Sequence, residues 1–203
     1  MKTNFLKQIV FLIAMTIAVA GCSSSIEMDD EDDGQELFYY AFDEKIPLSI
    51  AKNKFVLSYE KRYFSEIQKF LQKNTKIRNI NFRIEQNYCV FTMENARIGM
   101  LRAEFSKQAG IKSINPVYLI YGGTEAFVTD EIVVQFKEDV SQQEIDKILQ
   151  KYCLVVKRIS SWSSQLLSVP IDLDPLRVAN AIQESGLVNY SHPGFYTKID
   201  FSP

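Results

Sequence analysis

Along residues 130–136, DEIVVQF, polar and β-branched apolar positions alternate, the period of a strand with one buried face. The period then changes. Ser141 and Glu144 form an S-x-x-E capping box, and Ile145, Ile148, Leu149 and Tyr152 follow at i, i+3, i+4 and i+7, one apolar helical face. LVVKRI (154–159) and QLLSVP (165–170) predict two further strands around SSWSS. Asp174 then caps a helix with Pro175 at its first position, Leu176, Ala179 and Ile182 face inward, and Gly186 ends it. LVNYSHP (187–193) predicts a closing strand.

The preceding half carries the same order. KFVLSY (54–59) predicts a strand, and Ile67, Phe70 and Leu71 mark a helical face. IRNINFRI (77–84) and CVFTME (89–94) predict strands, and Asn95 is a candidate cap for a helix facing inward through Ile98, Leu101 and Phe105. After Gly110, IKSINPVYLI (111–120) predicts the last strand. The first helices share an octet, EIQKFLQK (66–73) and EIDKILQK (144–151), and both halves end on glycine, a strand and proline. The expected fold class is α+β: two tandem ferredoxin-like (β-α-β-β-α-β) units, each a four-stranded antiparallel sheet with two helices on one face. They would span residues 37–121 and 127–197, with Gly122-Gly123 a hinge between them and 198–203 a tail. The alternative is a single α+β domain whose two helices happen to be similar.

Composition permits this much core: 46% of the 203 residues are hydrophobic and 24% charged. The net charge of −2 is uneven. Residues 1–34 hold two lysines and six acids, leaving 23 − 2 = 21 basic and 25 − 6 = 19 acidic residues elsewhere. That near-balance argues against a nucleic-acid surface, and no basic-Gly-aromatic strand of the RNA-binding type is present.

Residues 1–21 read as a signal peptide. Lys2 and Lys7 precede the apolar IVFLIAMTIAVA, which is short for a membrane span. The segment ends Val19-Ala20-Gly21-Cys22, which resembles a bacterial lipoprotein lipobox; an ordinary secretory signal is the plainer alternative. The lipobox resemblance implies a lipidated Cys22 and a chain held in the bacterial cell envelope, at the outer membrane or the cell surface. Residues 22–36, with five consecutive acids, read as a flexible tether. Asp29, Glu31, Asp33 and Gly34 fit the start of an EF-hand loop, but its twelfth position is Tyr40, so the calcium reading fails.

Candidate chemistry is sparse. The single histidine, His192, precedes a proline at a strand end, and no nucleophile elbow, zinc helix, phosphate loop or C-x-x-C pair occurs. The sequence therefore predicts no enzyme, no cofactor and no metal site. Cys89 and Cys153 lie in apolar runs and read as buried small hydrophobes, with a bridge between them the alternative. The aromatic groups ELFYYAF, Trp162 and GFYTKIDF are candidates either for binding or for packing.

Residues 129–196 resemble the N-terminal prodomain of fervidolysin-type subtilisin-like serine proteases. The resemblance rests on the DEIVVQFK strand, the VSQQEI helix start and the SGLVNYSHP ending. It implies a non-enzymatic module that inhibits a serine protease or assists its folding, with the sheet packed on the enzyme and the segment after the last strand in its cleft. The corresponding protease-binding positions are Tyr190, Ser191, His192, Pro193, Gly194, Phe195 and Tyr196. The sequence ends at Pro203 with no protease domain, which predicts a separate protease partner or a truncated precursor. The competing reading is a surface lipoprotein that binds a peptide, protein or glycan on a prodomain-like scaffold.

Overall fold

The structure is a computed structural model that describes residues 36–41 and 43–197. The signal-peptide region, Cys22, the acidic run and residues 198–203 lie outside them. A hairpin of β1 (Phe38–Ala41) and β2 (Glu44–Pro47) opens the described chain. The first half follows as β3 (Ser49–Tyr59), α1 (Phe64–Lys73), β4 (Ile77–Arg83), β5 (Tyr88–Met93), α2 (Ile98–Phe105) and β6 (Ile111–Ile120). The second is β7 (Thr124–Phe136), α3 (Gln142–Lys151), β8 (Val155–Ile159), β9 (Gln165–Ser168), α4 (Pro175–Glu184) and β10 (Val188–Thr197).

The expectation of two ferredoxin-like units with separate four-stranded sheets is corrected here. The strands of both halves form one continuous eight-stranded antiparallel sheet in the order β4-β5-β3-β6-β7-β9-β8, with β10 on the remaining side of β7. The cause is the junction. Tyr121, Gly122 and Gly123 have φ of 38°, 75° and 105°, a left-handed run for which glycine carries no steric cost. The chain reverses there, Gly123 N–H donates to Ile120 C=O, and β7 runs back along β6 from Ile120↔Thr124 to Val117↔Phe127. The glycine pair is thus a hairpin turn, not a hinge between domains. At 13 residues, β7 is long enough to pair with β6 at its start and β9 at its end.

Where β6 leaves β7, side chains take over from the ladder. Asn115 donates to the Val128 carbonyl at 3.1 Å and accepts from Arg102 at 3.0 Å. The Arg102 guanidinium also lies 3.3 Å from the Asp174 carboxylate, so buried charges on α2 and at the start of α4 join the halves. A second set closes the same fork: Ser58 meets Ser113 at 2.7 Å and donates to Asp130 at 3.0 Å, and Lys112 pairs with Asp130 at 3.0 Å.

The register Tyr118↔Ala126 puts the core-facing residues of both halves on one face. Ile67, Leu71, Leu101 and Phe105 pack on Phe55, Leu57 and Phe91, while Ile148, Val178, Ala179 and Ile182 pack on Ile132, Val134 and Leu167. Between the helix pairs the β1–β2 hairpin covers Tyr118, Ala126, Val128 and Leu176 through Leu37, Tyr39 and Leu48. Asn180 donates to the Phe38 carbonyl and pins it. Leu37 and Tyr39 of ELFYYAF are therefore packing residues, and the Phe38 and Tyr40 rings meet each other edge to face. Cys89 is a free thiol in the first core, which excludes a bridge to Cys153, and burial pushes its pKa up to about 12.

Local signals hold in the second half. Ser141 and Glu144 make the reciprocal capping box, and Asp174 accepts from the N–H groups of Leu176 and Arg177 ahead of Pro175. In the first half Asn95 is not a cap. It sits in a turn at φ 55°, and Arg97 begins α2 without a side-chain bond.

Candidate functional site

Four helices and the hairpin cover one face of the sheet; the opposite face is open. Strand alternation decides what it presents. In the second half Ile132, Val134 and Leu167 point into the core, so their neighbours Val133 and Leu166 point out. Pairing places Leu166 beside Val133 on one side and His192 beside it on the other, with Tyr190 opposite Gln135. All five are half-buried. Tyr190 and His192 stack at 5.8 Å, and the Tyr190 hydroxyl bonds Ser164 at 2.5 Å. Gln135 donates to the Trp162 carbonyl, which fixes a turn whose indole is 81% exposed. Beside it runs β8, an edge strand whose Val155, Val156 and Ile159 are also exposed. Apolar surface is thus gathered on one edge and face of the sheet.

The seven positions from Tyr190 to Tyr196 do not form one patch. All belong to β10, which pairs with β7 as far as Thr197. Tyr190 and His192 lie on the open face, while Ser191 is buried and its N–H bonds Gln183 of α4. Pro193 is buried beside Ile132. Gly194 sits at a register shift where a Cβ would come within 2.8 Å of Thr129 Oγ1, so a close approach demands the glycine. Phe195 turns under the hairpin, 4.9 Å from Tyr39, and Tyr196 returns to the open face.

There Tyr196 crosses into the first half. It stacks on Tyr88 at 5.5 Å, and Tyr88 in turn meets Phe127 at 5.5 Å. Burial raises the Tyr88 phenol above its usual pKa, with the nearby Arg83 charge opposing. These rings form one wall of an open groove of about 700 Å³ above β3, β4 and β5. The open face is therefore apolar over the second half, while over the first a basic and polar rim surrounds a buried apolar cluster of Val56, Val90, Val117 and Phe127. Neither Val133, Leu166 nor the groove was predicted from the sequence. Alternation around DEIVVQF contains the signal for Val133, whereas the groove has no local one. Among the described residues no group of three or more His, Cys, Asp or Glu could hold a metal, and no helix is long and apolar enough to cross a membrane.

Residues 121–193 match the family model of the fervidolysin N-terminal prodomain, which makes this region protease prodomain-like. The match begins at the hairpin turn and ends on Pro193, so it covers the second half only. No curated protein and no solved structure matches the chain significantly.

Proposed function

We infer that the chain binds a subtilisin-like serine protease, as inhibitor or folding helper, through the open face of β8, β9, β7 and β10. The observation that carries this reading is a coincidence: the prodomain-matching segment builds the apolar part of that face. Burial of Leu166, Val133 and the Trp162 indole against the enzyme would supply the affinity, at about 25 cal/mol per Å² of apolar surface removed from water. In the prodomain resemblance the segment after the last strand enters the substrate cleft, where main-chain hydrogen bonds hold a peptide. Cys22 carries the lipid in this reading and keeps the module in the bacterial envelope, at the outer membrane; loss of palmitate labelling in Cys22→Ala checks that part.

The test titrates the full chain against a subtilisin-like protease and follows both peptide hydrolysis and the yield of refolded enzyme. Inhibition or improved refolding is expected, and Leu166→Asp weakens it about tenfold or more by placing a charge in an apolar contact. Deleting Tyr190–Thr197 is uninformative, since it removes a strand of the sheet. No effect on either hydrolysis or refolding would overturn the reading.

A further inference from the structure

The groove over the first half lies outside the prodomain-matching segment except for Glu125 and Phe127 on its rim. Its volume of about 700 Å³ falls within the roughly 300–1,000 Å³ of small-ligand sites. Three cations line it, Lys52, Lys54 and Arg83, against one carboxylate, Glu125. Lys54 is ion-paired with Glu125, which leaves Lys52 and Arg83 as the excess charge. Side-chain amides come from Asn79, Asn81 and Gln86, each offering both a donor and an acceptor.

The backbone bends toward this place on two strands. Pairing of β3 with β6 skips from Ile50↔Tyr118 to Phe55↔Pro116, a distortion that contains Lys52 and Lys54, with Asn53 left-handed at φ 58°. On β4 a bulge lies between Arg78↔Thr92 and Asn81↔Val90, with Asn79 left-handed at φ 52° and bonded through its amide to Thr92. Bulges re-aim side chains, and left-handed non-glycine residues cost free energy that a regular strand would avoid. Both distortions serve the same groove.

We propose that this groove binds an acidic saccharide, a chain of sugar rings bearing carboxylates. Arg83 and Lys52 take the carboxylates, the three amides take hydroxyl pairs, and the exposed ring of Tyr196 stacks on the C–H face of a sugar. An acidic peptide fits less well. Under the groove β5 is paired on both sides, while β3 is irregular at Asn53 and the edge strand β4 is broken by the bulge at Asn79, so an incoming main chain finds no straight edge to extend. Of the protease-binding positions the site shares only Tyr196, and its two unpaired cations, Lys52 and Arg83, lie on the other half of the sheet, so the two readings can fail separately.

The experiment is calorimetric titration of the full chain with tetragalacturonate, its fully methyl-esterified form and a poly-glutamate of equal charge, at low salt. Tetragalacturonate binds, and the neutral ester binds at least about tenfold more weakly, the scale of a lost charged hydrogen bond. Arg83→Gln and Lys52→Gln each lower affinity about tenfold while circular dichroism and melting stay as in the unmodified chain, and Tyr196→Ala lowers affinity as well. Lys107→Gln, on the helix side, leaves binding unchanged. Absence of tetragalacturonate binding, equal binding of the ester, an equal loss with Lys107→Gln, or tighter binding of poly-glutamate would each overturn the proposal.

Discussion

The two halves share an element order and a sheet, yet they begin their helices by different physics. In the second half the signals are local: Ser141 and Glu144 cap α3 reciprocally, and Asp174 caps α4. In the first half neither α1 nor α2 has a side-chain cap. A 3-10 turn, Lys61–Tyr63, leads into α1, and the Tyr63 ring lies against Gly110, where a Cβ would come within 2.4 Å of it. The Gly110 carbonyl also accepts from Glu60 N–H. One half specifies its helix starts in sequence, whereas the other relies on tertiary contact. The family match stops at the same divide.

The largest effect is expected where the halves meet. Arg102→Ala leaves the Asp174 carboxylate buried without its ion pair and removes a bond to Asn115. Orphaning one partner of a buried pair costs about 3–5 kcal/mol, read as a shift of the urea midpoint. Because the sheet is continuous across β6 and β7, a single unfolding transition should move. A loss below about 1 kcal/mol, typical of exposed pairs, or a split into two transitions, would show that the halves are energetically separate.

Next comes the tertiary helix start. Gly110 has φ 86° and no room for a methyl group beside Tyr63. Gly110→Ala adds left-handed strain of about 1–3 kcal/mol and must also displace the ring. Amide exchange in α1 should accelerate while α3 stays protected. Equal acceleration in both helices would instead mean that local and global opening are not separable.

The same contrast explains what the sequence disclosed. Alternation in DEIVVQF, the Ser141–Glu144 box and the Asp174-Pro175 start are short-range patterns, and the structure contains each. Asn95 misled because asparagine suits both caps and left-handed turns, and here it takes the turn. Gly122-Gly123 is compatible with a hinge or a reversal; only strand pairing between residues 117–120 and 124–127 selects the reversal and fuses the sheets. The basic groove is further from local pattern, since Lys52, Arg83, Tyr88 and Tyr196 meet only after the strands are ordered. Trp162 was a candidate by residue type, but its exposure follows from a turn held by Gln135.

The smallest effect tests the capped half alone. In α3 the Ser141 hydroxyl accepts from Glu144 N–H at 3.4 Å, and the Glu144 carboxylate accepts from Ser141 N–H at 3.0 Å and from its hydroxyl at 2.7 Å. These bonds hold the Glu144 pKa below the usual range, although the group is at the surface. Ser141→Ala removes the hydroxyl but keeps the backbone bond, so the cost is about 1 kcal/mol, the middle of the range for N-cap loss. The loss should shrink but persist as pH falls: the hydroxyl–carboxylate part goes as Glu144 is protonated through its depressed pKa, whereas the hydroxyl still caps Glu144 N–H. Swapping Tyr63→Ser at the start of α1 is the matched control. The α1 start is held by ring packing on Gly110, so a new hydroxyl gains no capping energy that offsets the lost ring, and the variant is less stable than the parent. If Tyr63→Ser instead stabilises α1 in amide exchange, local capping would suffice in both halves and the contrast between them would fail.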